Sequence, residues 1–287
     1  MTIPIHSVNH VGIAVRDMAA TAARYEDMGF VLTPWSVHAG AARPGEPVVK
    51  MGQGNRCVMF GRNYLEILAH EDPAAPSPRI DGFLRRHQGG HIICFGTEDC
   101  AAVDARLGHF GLRSSGVIPL QRDVDTPDGV RTAKFERVQF APDDSPEGYI
   151  QAARHLTPDY VYQPRYTDHP NGCDELADTV LLVDDVGRFA ERYERYTGVA
   201  PARSDGVARF GFSFSTLTVM DGAAALRAMP GTLRPPTPGI AAVGFHCPDT
   251  KAQAGRLREA RIPFLMVGDR LVVPAEAASG IAVVFQP

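Results

Sequence analysis

Cysteine is scarce and unpatterned in this chain. Its five residues, Cys57, Cys94, Cys100, Cys173 and Cys247, form no CxxC pair and no other zinc spacing. An odd count also argues against a disulfide framework, so reduced, buried thiols and a cytoplasmic location are expected. Long apolar runs are missing as well: none approaches the ~20 residues that cross a bilayer as a helix. The opening MTIPIHSVNH has no cationic stretch leading into an apolar one, so neither a secretory signal nor a membrane partner is expected. There is no basic excess. A formal charge of −4 leaves no electrostatic footprint for nucleic acid. What remains is 287 residues, 44% apolar and 22% charged, the balance of a soluble enzyme or binding protein with room for two domains.

Within that plain composition the chain repeats itself. His10-Val11-Gly12-Ile13-Ala14-Val15-Arg16-Asp17 has a counterpart in His91-Ile92-Ile93-Cys94-Phe95-Gly96-Thr97-Glu98-Asp99. Each reads as an apolar strand that starts on a histidine, runs into an acidic turn and enters a helix. The helices leave through Gly29-Phe30 and Gly111-Leu112, and the units close on matching strands, Tyr64-Leu65-Glu66-Ile67-Leu68 and Tyr149-Ile150-Gln151-Ala152-Ala153. Internal repetition governs architecture. Here it also sets two histidines and two oxygen-bearing side chains at matching places, as a pseudo-symmetric metal site requires.

Periodicity supports a β-α-β-β-β order for each unit. In the first, residues 8–15 read as a strand, 18–28 as a helix capped by Asp17, and 31–37, 57–60 and 65–69 as strands. The glycine- and proline-rich stretch 39–54 reads as a long loop. A proline cluster at 73–78 leads into a connecting helix with Ile80, Phe83, Leu84 and His87 on one face, ended by Gly89-Gly90. The second unit has its helix at 103–110 and strands at 117–121, 132–140 and 149–153. Residues 157–172 read as an interdomain linker. The pattern then returns twice: strand 178–183, helix 185–196 ending at Gly198, strands 208–214 and 216–220; then strand 240–247, helix 251–260 and strands 264–267, 271–273 and 281–285.

These units resemble the vicinal oxygen chelate superfamily, in its glyoxalase-like branch. The resemblance is sharpest in the His10–Asp17 and Tyr64–Leu68 segments. It is also sharp in the stretch from His155-Leu156-Thr157-Pro158 to His169-Pro170-Asn171-Gly172, which looks like a signature of glyoxalase-like proteins. It implies an α+β fold of four βαβββ modules, paired into two half-barrel domains of the glyoxalase/extradiol-dioxygenase kind. Residues 1–157 would form the domain with the metal site, and residues 172–287 a degenerate, structural one.

In that superfamily a divalent metal is held by the first and last strands of paired modules. Carried onto this chain, the resemblance implies His10 and Glu66 from the first module and His91 and Gln151 from the second. Zn, Fe, Mn, Co and Ni all suit such mixed nitrogen and oxygen ligation. A neutral amide at Gln151, where many relatives carry Glu, is the departure in this set. In the third and fourth modules Thr179 and Ala242 take the histidine places, and Thr216 and Val283 or Val284 fall near the others, so no ligand set survives there.

A metal gripping two vicinal oxygens of a small substrate acts as a Lewis acid, and a neighbouring carboxylate moves the proton. Glu66, the sole carboxylate of the set, is then both ligand and catalytic proton shuttle, in a lyase or isomerase. Two histidines and one carboxylate also make the triad of Fe(II) ring-cleaving dioxygenases, and metal-free members of the superfamily sequester small molecules; all three readings stand open. His38, Asn55, Arg122 and His155 are the candidate substrate-binding residues, with Arg43, Arg56 and Arg137 nearby. Tyr64 and Tyr149 are expected to point away from the site. A second copy of the chain, in a homodimer, is the remaining partner considered.

Overall fold

The computed structural model describes residues 4–40, 49–72 and 77–287. The repeat takes shape as four βαβββ units. The first comprises β1 (Ile5–Ala14), α1 (Met18–Asp27), β2 (Ser36–Gly40), β3 (Val49–Met59) and β4 (Tyr64–His70). A connecting helix, α2 (Pro78–Arg86), leads to β5 (Gly89–Thr97), α3 (Cys100–His109), β6 (Ser114–Thr126), β7 (Gly129–Phe140) and β8 (Tyr149–His155). Beyond the short α4 (Pro158–Val161) come β9 (Glu175–Leu182), α5 (Val186–Thr197), β10 (Ala202–Ser204), β11 (Val207–Gly211) and β12 (Thr216–Met220). Then α6 (Gly222–Ala228) joins the last unit: β13 (Gly239–His246), α7 (Thr250–Glu259), β14 (Leu265–Val267), β15 (Arg270–Val273) and β16 (Ala282–Gln286).

The same local device starts the helix of every unit. Asp17, Asp99, Asp185 and Asp249 sit at the N-caps, and their carboxylates accept from Ala20, Ala102, Arg188 and Ala252 backbone N–H groups. Each satisfies a donor the first helical turn leaves unpaired, worth about 1 kcal/mol.

Strand pairing repeats too. First and last strands of each unit run parallel: β1 with β4, β5 with β8, β9 with β12, β13 with β16. Units join through antiparallel β1–β5 and β9–β13 pairs. One bridge between Ile240 and Gly90 links the halves, so all sixteen strands belong to one mixed sheet. In the first half the order is β2-β3-β4-β1-β5-β8-β7-β6, and the end strands β2 and β6 approach each other. A continuous core runs through both halves: Phe30 lies 4.9 Å from Phe245 and stacks on Phe285 at 5.9 Å.

Several local expectations change. Of residues 31–37 only the last two are strand, because Thr33 instead ties its N–H to the Cys57 carbonyl. The stretch read as a loop over 39–54 is strand at 49–54, since β3 pairs with β4 as far as Gln53 and His70. Its middle, with Arg43, lies outside the described residues, as do residues 73–76 of the proline cluster. Gly89 and Gly90 do not end α2. They start β5, where Gly89 takes φ +134° and Gly90 packs on Ile240.

The stretch 157–172 is pinned rather than loose. Buried His169 accepts from the Val31 N–H and donates to the Met59 carbonyl, and the Asn171 amide donates to the Met28 carbonyl. His169 and Asn171 thus latch this stretch onto the first unit. In the second half, Asp178 rather than Thr179 takes the place of His10, and Thr218 rather than Thr216 that of Glu66, because Asp178 pairs with Gly244 as His10 pairs with Cys94. Ala224, Ala225 and Met229 from α6 and its exit pack with Val180, Ala242 and Val284, filling that face with apolar side chains.

Candidate active site

A cavity of about 180 Å³ opens in the first half, and each of β1 to β8 contributes a lining residue. Alternation along the strands selects them. On β4 they are Tyr64, Glu66 and Leu68; on β8, Tyr149, Gln151, Ala153 and His155. Tyr64 and Tyr149 therefore face the cavity, against expectation: they stand two residues from Glu66 and Gln151, which is one full strand period.

Glu66 is buried, at 8% exposure, and one of its oxygens is engaged. The Asn55 amide donates to Oε1 at 2.5 Å, and His38 Nε2 lies 3.6 Å from the same oxygen. Burial alone would raise this carboxyl. His38, His10, the Asn55 hydrogen bond and Arg122 together outweigh that and hold it below the usual carboxylate range. Burial lowers His10 to about 4 against the opposing pull of Glu66, and lowers His38 as well. At neutral pH the cavity floor thus carries one carboxylate and two neutral imidazoles. His10 is fixed by its neighbours, stacking on Tyr64 at 4.4 Å with Nδ1 bonded to Asn9 Oδ1 at 2.9 Å. If Nδ1 carries the proton, Nε2 is free to accept.

The opposite wall is cationic and aromatic. Arg79 from α2, Arg122 from β6 and Arg137 from β7 line it with Tyr149 and Phe135. Gln151 Oε1 and His155 Nε2 are buried without a hydrogen-bond partner among the described residues. Burial brings His155 down to about 3, helped by His10 and Arg122. Asn55 lines a smaller adjoining cavity and reaches this one through its bond to Glu66, so it positions the carboxylate. Arg56 turns away, to the Thr33 carbonyl and Glu26. Arg79 is the lining residue that strand periodicity could not reveal, because it comes from the connecting helix.

His91 is the correction. Its ring does not line the cavity: Nε2 donates to the His87 carbonyl at 2.8 Å, and the imidazole stacks on Phe83 at 4.6 Å. The pairing explains why. His10 lies across from Cys94 and Gly12 across from Ile92, so the pseudo-twofold mate of His10 is Ile92. The parallel pairs agree, setting His10 beside Tyr64 and Ile92 beside Tyr149. A shift of one residue turns a side chain to the other face.

The donors present do not fit the four-residue metal set. Ile92 brings a hydrocarbon where the second imidazole is needed, and Glu66 spends Oε1 on Asn55 and His38. Among the described residues no three His, Cys, Asp or Glu side chains are placed to hold an ion. His10, Glu66 and Gln151 do share the cavity, without the fourth member. Also among the described residues, no helix is long and apolar enough to cross a membrane.

The model of the glyoxalase-like domain matches residues 8–197, more than half of the chain. A hypothetical protein from Staphylococcus aureus is similar in structure over 99% of this chain and 100% of its own, at 12% identity and a TM-score of 0.65. A mutant 4-hydroxymandelate synthase from Streptomyces coelicolor is similar over 98% of this chain and 92% of its own, at 13% identity and a TM-score of 0.61. The Mn(II)-bound glyoxalase from Novosphingobium aromaticivorans covers 98% of this chain with 82% of its own, at 12% identity and a TM-score of 0.57. At such identities these likenesses establish the fold. No curated protein matches the sequence.

Proposed function

This chain belongs to the glyoxalase-like domain family, and from that premise we propose that it is an enzyme of the lyase or isomerase kind, moving a proton on a small oxygenated substrate with Glu66 as the base. The observation that carries this reading is the buried Glu66 carboxylate in the cavity, held by the Asn55 amide at 2.5 Å with the His38 imidazole 3.6 Å away. Residues 1–157 would be the half-barrel domain that carries the site, and residues 172–287 a second domain that supports it.

Chemistry follows from the groups present. A substrate oxygen close to Arg122 gains positive potential as charge builds on it. A bound anion at Arg122 also cancels part of the field that depresses Glu66, raising its basicity toward the working pH when substrate arrives. His38, 3.6 Å from Glu66 Oε1, is the group placed to take that proton onward once the two close to hydrogen-bond distance. Tyr64 and Asn9 hold His10 in orientation, and Asn55 holds Glu66. No step passes through a metal ion, because the second ligand position is Ile92. Ile92 counts in the same way against the Fe(II) ring-cleavage reading, whose triad drew on the imidazole of His91.

A second reading is metal-free sequestration. The unpartnered Gln151 and His155 atoms favour it, since they suit binding without any reaction. Glu66→Gln separates the two. As an enzyme, the protein keeps its ligand affinity and loses turnover; as a binder, it returns ligand unchanged from both wild type and variant.

A further inference from the structure

Three guanidinium groups line one wall of the cavity, and the structure shows how they are held. Tyr149 Oη accepts from Arg137 Nη1 at 2.7 Å and from Arg79 Nη2 at 3.4 Å, while donating to Gln139 Oε1 at 2.7 Å. Arg79 also lies over the Tyr149 ring, 4.6 Å from its centroid. One phenol thus gathers cations from α2 and β7 at the same place. Such a gathering is costly unless a counter-charge completes it, since like charges repel strongly away from bulk water.

Among the described residues none of the three guanidinium groups makes a hydrogen bond or ion pair with a carboxylate, although Glu66 and Glu136 line the same cavity. Arg122 has no hydrogen bond or ion pair with any described residue; it lies 5.8 Å from the Phe135 ring and acts on Glu66 only across the cavity. Arg137 Nε is buried and unpartnered, a donor left without an acceptor. The cavity's buried carboxylate, Glu66, is already engaged by Asn55 and His38. Val37, Met51, Leu68, Ile92 and Leu120 supply an apolar wall beside the cations. A cavity of about 180 Å³ displaces on the order of six waters at ~30 Å³ each, which suits a ligand of roughly ten non-hydrogen atoms.

We propose that this cavity recognises a small organic oxyanion, its carboxylate or phosphonate head on Arg79, Arg122 and Arg137 and its apolar body against the Ile92 side. The inference rests on the reading of this cavity as the functional site. It assigns to guanidinium groups the substrate-gripping role that an ion would otherwise take. Bidentate guanidinium–oxyanion pairing supplies both charge and geometry.

The test uses the full chain after chelator treatment, titrated calorimetrically with phenylacetate, its neutral isostere phenylacetamide, and phenylphosphonate. Phenylacetate or phenylphosphonate should bind at least about tenfold tighter than phenylacetamide, the scale of one charge-assisted pair. The stronger of the two acids identifies the head group. Arg122→Met and Arg137→Met should each abolish the preference, Arg122→Lys should restore part of it, and Arg203→Met, on exposed β10, should leave it intact. Equal affinity for acid and amide overturns the proposal. So does binding of none of the three probes, or binding of the acids only after Mn(II) is added. The Lys variant and the amide affinity guard against a misfolded Met variant. Loss of the acid preference leaves Glu66 as the base untouched, whereas an inactive Glu66→Gln that still prefers acids bears on the proposed reaction alone.

Discussion

Ile92 occupies the space that a side chain on Gly12 would need: a Cβ built on Gly12 would lie 2.8 Å from the Ile92 Cβ and Cδ1. The two residues are paired across β1 and β5, beside the pseudo-twofold that relates the first two units. The cavity's shape and its missing second imidazole thus meet at one contact.

Gly12→Ala should therefore destabilise the fold by about 1–3 kcal/mol through overpacking. Urea unfolding measures this, and the double variant Gly12→Ala/Ile92→Ala should recover part of the loss. An unaltered midpoint for Gly12→Ala would show that the contact relaxes freely.

Ile92→His should create what the wild type lacks. An imidazole at this position would face the same cavity as His10, Glu66 and Gln151, and Co(II) titration should give one equivalent bound with a visible d–d spectrum. His91→Ala should leave cavity binding unchanged and cost about 1–3 kcal/mol of stability through the hydrogen bond and stacking it loses. Equally tight Co(II) binding by wild type, abolished in His91→Ala, would contradict the register.

The fold was legible because its signals recur in the right period. The Asp17 cap, the four unit helices and the closing strands stand close to where the pattern put them, and Thr216–Met220 matches to the residue. The site was less legible, for one physical reason. The histidines His10 and His91 are 81 residues apart, whereas the capping residues Asp17 and Asp99 are 82 apart. The caps report the true equivalence, since their geometry is fixed by the helix. Aligning on the histidines slipped one residue and turned a core imidazole into a ligand. Residues 49–54 were misread for another reason: glycines at 52 and 54 read as loop, yet a strand admits Gly where a large neighbour approaches, here Trp35 against Gly54.

Asp178 gives a pH test in the second half. Burial, opposed by the Thr218 hydrogen bond and by Arg209, raises it from 3.8 to about 6. Between those values the folded state holds a proton that the unfolded chain releases, so this group's contribution to stability falls as pH rises through the window. Asp178→Asn removes that loss. Its stability relative to wild type should rise by on the order of 2 kcal/mol between pH 4 and pH 7.5. A difference independent of pH, read from denaturant midpoints, would show that Asp178 titrates normally.

The central claim is that Glu66 takes a proton from a small bound acid in this cavity. The most direct measurement is deuterium wash-in at C3 of phenylpyruvate, a 2-oxo acid with exchangeable C–H bonds, followed by proton NMR in D2O with chelator-treated protein. Wild type should exchange faster than buffer alone. Glu66→Gln should still bind the acid but lose about two orders of magnitude in exchange rate, the usual scale of a general base. Equal exchange by wild type and Glu66→Gln, or no acceleration over buffer by wild type, would contradict it.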